Sequence, residues 1–181
     1  MVDSPSYQSS HQGLMFMVDM NLMTSSATDQ WATPQVVYDN IIDHLAIDPQ
    51  WDLSADASNT KCPNFIDEKQ DSLVTKWPDG EVCWLNPPYG NMLKKFALKC
   101  ASEFDGPNPP AKVVWLVPAR TDTSWFNTLT THAKCSKVMF LKGRIKFGNQ
   151  KKDAPFPSVV IVMDSDHTGS ADVTFGHEFR K

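Results

Sequence analysis

The chain's 181 residues suffice for one domain with a sizeable core, and 41% hydrophobic with 21% charged residues make a soluble globular protein the default expectation. No apolar run reaches the length of a bilayer span; Leu14 to Met23 is interrupted by Asp19 and Asn21 and has no basic flank, so it is a poor signal peptide, and a cytoplasmic protein with no membrane contact is expected. The net charge of -4 gives no general affinity for polyanions, and four cysteines and five histidines without CxxC or metal-ligand spacing predict reduced, mostly buried thiols and no metal.

Residues 1–29, rich in Ser, Gln, Asp and Met, lack a hydrophobic period and are expected to form a flexible N-terminal arm, with a single domain over residues 30–181. Thr33-Pro34 predicts a helix start, with Thr at the N-cap and Pro at the first helical position. Val37, Ile41 and Leu45, with Ile42 beside them, give that helix an apolar face. A short strand over Trp51 to Ala55 follows, then a polar stretch to Trp77 with a short helix near Glu68 to Thr75. Glu81 to Leu85 reads as a buried strand stopped by Pro87-Pro88. Asn91 to Phe104 reads as a helix whose Leu93, Phe96, Ala97, Cys100 and Phe104 share one face. Lys112 to Val117 is an interior strand, Ser124 to Ala133 a helix, and Val138 to Leu141 and Val159 to Met163 two further strands.

Strands alternating with helices predict an α/β fold with a mostly parallel sheet. No helical pattern separates the last two strands, so they are expected to close the sheet as an antiparallel final hairpin. The loop between them is basic. Lys134, Lys137, Lys142, Arg144, Lys146, Lys151 and Lys152 fall in a window without an acid. Such a block either grips phosphates or is a solvated face. Arg144 and Lys146 alternate with Ile145 and Phe147, which sends cations outward and apolar groups inward.

Asn86-Pro87-Pro88-Tyr89 follows directly on the strand Glu81 to Leu85. In α/β sheets ligands bind beyond the carboxyl ends of strands. The composition suits activation of an aromatic amine such as the exocyclic nitrogen of adenine, whose lone pair is delocalised into its ring. The Asn86 side-chain oxygen and the Pro87 carbonyl offer two acceptors for the amine hydrogens. Two prolines stiffen the turn that holds them, and Tyr89 offers a face on which an extruded base stacks. A proline pair that merely ends a strand is the alternative.

The segment resembles the (D/N)PP(Y/F/W) motif of amino-methyltransferases, and the chain around it resembles the phage-type DNA N6-adenine methyltransferase (Dam) family. The resemblance runs from Trp31 to Met163 in ordered pieces: Trp31-Ala32-Thr33-Pro34, Trp51 to Lys61 with Cys62-Pro63, Asp71-Ser72-Leu73 with Trp77, Trp84 to Gly90, Pro118 to Phe126, Gly143 to Phe147, and Pro155 to Ser158. It implies a Rossmann-like class I methyltransferase fold, S-adenosylmethionine as methyl donor, and double-stranded DNA as substrate and partner.

The resemblance also implies roles. Catalysis falls to Asn86, Pro87, Pro88 and Tyr89. Thr33, Pro34, Asp56, Asp71 and Asn86 fall where the donor is bound, the first two near its methionine end. Arg120, Arg144, Lys146, Lys151 and Lys152 fall on the DNA side, where Asp122 and Trp125 also follow an interior strand. Ser54 departs from the family pattern, which usually has Asp there. Asp56, two residues on, would face the same side if the strand continued, and could substitute. There is no G-x-G run to mark the donor site independently. The same motif serves enzymes acting on RNA bases or glutamine side chains, and a non-catalytic nucleic-acid-binding module on this fold is a third reading.

Overall fold

A computed structural model describes residues 31–148, 150 and 152–180; the expected arm over 1–29 and the candidate DNA contact Lys151 lie outside the described residues. One seven-stranded sheet organises the chain, in the order β2-β1-β3-β4-β6-β5-β7. Its strands are β1 (Trp51–Asp52), β2 (Asn64–Phe65), β3 (Val82–Leu85), β4 (Lys112–Pro118), β5 (Cys135–Leu141), β6 (Ser158–Asp164) and β7 (Asp172–His177), with helices α1 (Gln35–Leu45), α2 (Met92–Asp105) and α3 (Ser124–Thr130). β2, β1, β3 and β4 run parallel to one another, β5 runs parallel to β7, and β6 is antiparallel to both β4 and β5.

β4 explains the layering. Its residues from Val113 to Pro118 are all buried, so both faces of the sheet must be covered. Val113, Trp115 and Val117 pack with Leu93, Phe96 and Cys100 of α2 and Leu129 of α3. Val114 and Leu116 pack on the other face with Val37, Tyr38 and Ile41 of α1. Helices on both faces leave the carboxyl ends of the parallel strands as an open rim. Glu103, buried on α2, ties down the approach to β3. Its carboxylate pairs with Lys76 and with Lys99 (2.6 Å), and accepts the Trp77 N–H. Burial opposes its charge, but the two lysines prevail and hold its carboxyl below the ordinary value.

Several sequence expectations change. Thr33 is not a helix cap. Pro34 occupies the N-cap, extended at ψ 141°, and its carbonyl receives the N–H of Val37 and of Tyr38. Glu68 to Thr75 forms turns instead of a helix, because Asp67 and Asp71 take the local N–H groups on their carboxylates and Asp71 adopts a positive φ of 51°. β1 ends at Asp52, three residues short of Ala55. α3 stops at Thr130, where Thr128, Thr130 and Thr131 turn their hydroxyls onto helix carbonyls. β5 and β6 do pair antiparallel, but they do not end the sheet. β7 follows them and covers β5 as an edge strand.

The four cysteines are free and buried. Burial pushes the Cys62 thiol up to about 12 and Cys135 to about 11, far from a reactive thiolate. Among the described residues, no helix is long and apolar enough to cross a membrane, and no group of three metal-ligating side chains occurs.

Candidate active site

The parallel strands change direction of succession between β1 and β3, with β2 outside one and β4 outside the other. Ligands of α/β sheets bind at such a switch point, beyond the carboxyl ends. A cleft of about 660 Å³ opens there. Asp52, Ser54 and Asp56 line it from β1, Ile66, Asp67 and Asp71 from β2, Asn86, Pro87 and Pro88 from β3, and Trp31 and Thr33 from the opposite wall. Its size lies within the range of small-molecule sites. Five carboxylates border it (Asp52, Asp56, Asp67, Glu68 and Asp71) against two lysines, Lys61 and Lys95, so it favours a cationic ligand.

Asp52 is the one carboxylate of the five that is buried, 3% exposed. It accepts the Ser54 N–H at 3.3 Å and the Lys61 N–H at 3.1 Å. Burial nevertheless pushes its carboxyl up to about 6. Sequence reasoning passed over this residue. The signal was an acid closing a strand, at the end where ligands bind. Asp56 is exposed, and Ser58 holds its carboxyl below the ordinary value through side-chain and backbone hydrogen bonds, at 2.5 and 2.7 Å. The alternation argument linking Ser54 to Asp56 fails because the chain leaves the strand at Asp52, although both residues reach the cleft. Asp71 lines the cleft while its carboxylate accepts the Leu73 N–H at 3.0 Å. Pro34 does not line the cleft, whereas Thr33 does.

Asn86 sits on the cleft rim, half-buried. Its Nδ2 donates to the Trp31 carbonyl at 2.5 Å and to the Thr33 hydroxyl at 3.0 Å, and its Oδ1 accepts from the Tyr89 hydroxyl at 3.0 Å. The Pro87 carbonyl accepts no hydrogen bond among the described residues. Gly90 closes the segment at φ 71°, a conformation that strains any side-chain-bearing residue, and turns the chain into α2.

Tyr89 is buried, and its ring is not an open platform. Trp31 stacks on it with centroids 6.2 Å apart at 17°, and Phe147 and Phe156 meet it edge-on at 6.3 and 5.5 Å. Burial pushes the phenol well above its ordinary value, so it remains a hydrogen-bond donor. Trp31 also contacts both phenylalanines, which contact each other, completing a four-ring cluster.

The basic block is divided. Lys137 pairs with Asp172 at 3.4 Å and Lys142 with Glu178 at 2.7 Å, so acids from β7 and the segment after it neutralise cations that no acid accompanies in the sequence window. Arg144 is half-buried, and its buried Nη1 has no hydrogen-bond partner among the described residues. Ile145 and Phe147 are buried while Lys146 is exposed, as the alternation requires, although this segment is a loop. Lys146 and Lys152 are exposed and make no ion pair among the described residues. Arg120 is exposed at the end of β4 beside a second groove, about 700 Å³, that it shares with Lys94, Lys95 and the buried Trp125. Asp122 is exposed.

Comparison with known proteins places this arrangement. A family model described as DNA N-6-adenine-methyltransferase (Dam) matches residues 21–172. A protein of Haemophilus phage HP1 (strain HP1c1) named DNA N-6-adenine-methyltransferase is 36% identical over 135 residues, covering 72% of this chain and 75% of the phage protein. The chain belongs to the DNA N-6-adenine-methyltransferase (Dam) family.

Proposed function

We propose that this chain methylates the exocyclic N6 of adenine in double-stranded DNA with S-adenosylmethionine as donor, and that residues 30–181 form the single catalytic domain. The observation that carries the reading is the placement of Asn86 and Pro87, whose side-chain and main-chain oxygens are the two acceptors, on the rim of an acidic cleft at the sheet's switch point. That reversal of strand order, with antiparallel β6 inserted between β4 and β5, supports a Rossmann-like class I fold.

The cleft fits the donor by charge as well as size. S-adenosylmethionine is cationic at its sulfonium and ammonium groups, and it supplies an electrophilic methyl group when bound. Asp52 is our first choice to hold the ammonium, because its buried carboxylate gains most from a cationic partner. Asp56 and Asp71 line the outer cleft and suit the donor's hydroxyl and amino groups.

The chain's own part in the reaction is to bind and orient the amine. Asn86 Oδ1 retains one lone pair beyond its bond to Tyr89, and the Pro87 carbonyl accepts no hydrogen bond among the described residues. Together they accept the two amine hydrogens and draw the nitrogen towards tetrahedral geometry. Asn86 is no base near neutral pH, so the proton leaves to water after transfer. Lys146, Lys152 and Arg120 reach DNA phosphates, and Arg144 and Lys151 complete that set. A cytoplasmic site, in a phage-infected or prophage-bearing cell, brings such an enzyme to its DNA.

The decisive experiment is single-turnover methylation of duplex DNA by wild type and Asn86→Ala, with RNA of the same sequence as control. Methylation of adenine N6 in DNA that collapses in the variant supports the reading. A wild-type rate in Asn86→Ala, or transfer to RNA alone, refutes it.

A further inference from the structure

We propose that Thr33, together with the main-chain carbonyl of Trp31, positions the Asn86 amide in one of its two orientations. In this chain the requirement is for Asn over Asp at the head of the segment, although the motif admits both. The inference rests on reading Asn86 as an acceptor for the target amine.

A primary amide can sit either way round, with its oxygen and nitrogen exchanged. Here three partners decide. The Trp31 carbonyl can only accept, so the group facing it at 2.5 Å must be Nδ2. The Tyr89 hydroxyl, kept protonated by burial, donates to the atom it meets at 3.0 Å, which must be Oδ1. The Thr33 hydroxyl, on a residue 5% exposed, takes the second Nδ2 hydrogen at 3.0 Å. Both amide hydrogens are spent, so Asn86 presents only an acceptor to the cleft. A flipped amide would set Oδ1 against the Trp31 carbonyl, two acceptors facing each other.

The wall that sets this orientation is itself held. The Gly148 N–H donates to the Ala32 carbonyl at 2.8 Å, and the Pro34 carbonyl opens α1 by receiving two N–H groups. Trp31 to Thr33 is thus pinned from the basic loop on one side and from the helix on the other. Thr33 spends its hydroxyl on Asn86, where the resemblance would assign it to the donor. An aspartate at position 86 would face the Trp31 carbonyl with an acceptor unless it kept a proton.

The test uses the full chain, with donor affinity from calorimetry and turnover from single-turnover methylation of a duplex. Thr33→Val should lower turnover roughly tenfold, the worth of one net hydrogen bond expressed as a rate, with donor affinity unchanged. Thr33→Ser should restore it. Asn86→Asp should lose activity at neutral pH and recover as the pH falls towards about 5, where a carboxyl begins to hold its proton. Wild type should show no such recovery.

Weakened donor affinity with unchanged saturated turnover in Thr33→Val would instead make Thr33 a donor ligand and overturn the proposal. So would wild-type values for both quantities, or a flat pH profile at the wild-type rate in Asn86→Asp. Should Thr33→Val fail to fold by circular dichroism, the Asn86→Asp profile decides. A wild type that methylates no DNA would sink the proposed function itself, a result distinct from either arm.

Discussion

Replacing Asp52 with asparagine should raise the stability of the free protein and lower its affinity for the donor, two effects of opposite sign from one atom exchange. Asp52 is 3% exposed, and its carboxyl is raised from 3.8 to about 6 by burial, against two N–H donors that favour the charge. That elevation corresponds to about 3 kcal/mol between the two protonation states. The folded chain therefore binds this proton more tightly than the unfolded chain. The resulting stabilisation is complete below about 3.8 and is lost as pH rises through about 6. Asp52→Asn stays neutral throughout. Relative to wild type it should gain up to about 3 kcal/mol between about pH 4 and pH 7, less about 1 kcal/mol for one lost acceptor. Urea denaturation of both proteins across that interval measures the difference, and every other carboxylate cancels in the subtraction. Calorimetry should show wild-type donor affinity rising as pH passes about 6, where the carboxylate forms, and a weaker, flatter affinity in the variant. A stability difference that does not change with pH would refute the reasoning about burial. Unaltered donor affinity would remove Asp52 from the donor site.

Asn86→Ala should reduce single-turnover methylation by about a hundredfold or more with little change in donor affinity, and a wild-type rate would rule out its acceptor role. The double variant Lys146→Ala, Lys152→Ala should flatten the dependence of log binding constant on log salt by about 1.8, about 0.9 for each phosphate contact. Equal slopes in variant and wild type would show those cations to be solvated only. Trp31 emission, isolated by subtracting a Trp31→Phe variant, should change when a duplex containing the target adenine binds. An unchanged signal would mean that the ring cluster stays closed on DNA.

What the sequence disclosed depended on whether the information was local. Asn86 to Tyr89 could be placed at a strand end because Pro87 cannot continue a ladder and Val82–Leu85 is apolar. The buried strands β4 and β6 were legible as unbroken apolar runs. β7 was not, because its side chains face solvent at an edge: Val173 is 51% and Phe175 74% exposed, so no buried pattern marks it. Missing β7 also hid the partner of Lys137, which made the basic block look more uniform than it is. Thr33 misled for a related reason. Its neighbour Pro34 suits both the N-cap and the first helical position, and only contact with Asn86, 53 residues away, decides what the Thr33 hydroxyl does. The ring cluster joins Trp31, Tyr89, Phe147 and Phe156 from four separate segments, and periodicity within a segment carries no trace of that.

The ring cluster bears on how a base would reach Asn86. Trp31 covers the Tyr89 face by stacking, a contact worth about 0.5–1.5 kcal/mol beyond its buried area. An adenine taking that place gains about 1–3 kcal/mol from stacking, but the displaced Trp31 ring also gives up its edge contacts with Phe147 and Phe156, so the exchange is at best balanced. The edge contacts of Phe147 and Phe156 with Tyr89 do not have to break for it to occur. The larger cost is removal of the base from its duplex, a few kcal/mol, which the DNA contacts must supply. Trp31 is placed to serve both requirements at once. Its carbonyl belongs to the main chain that holds the Asn86 amide, while its ring turns about side-chain bonds that leave the carbonyl where it is. On the proposed reading of Asn86, a base would therefore displace the ring without releasing the acceptor it is to meet, and cover and latch would share one residue.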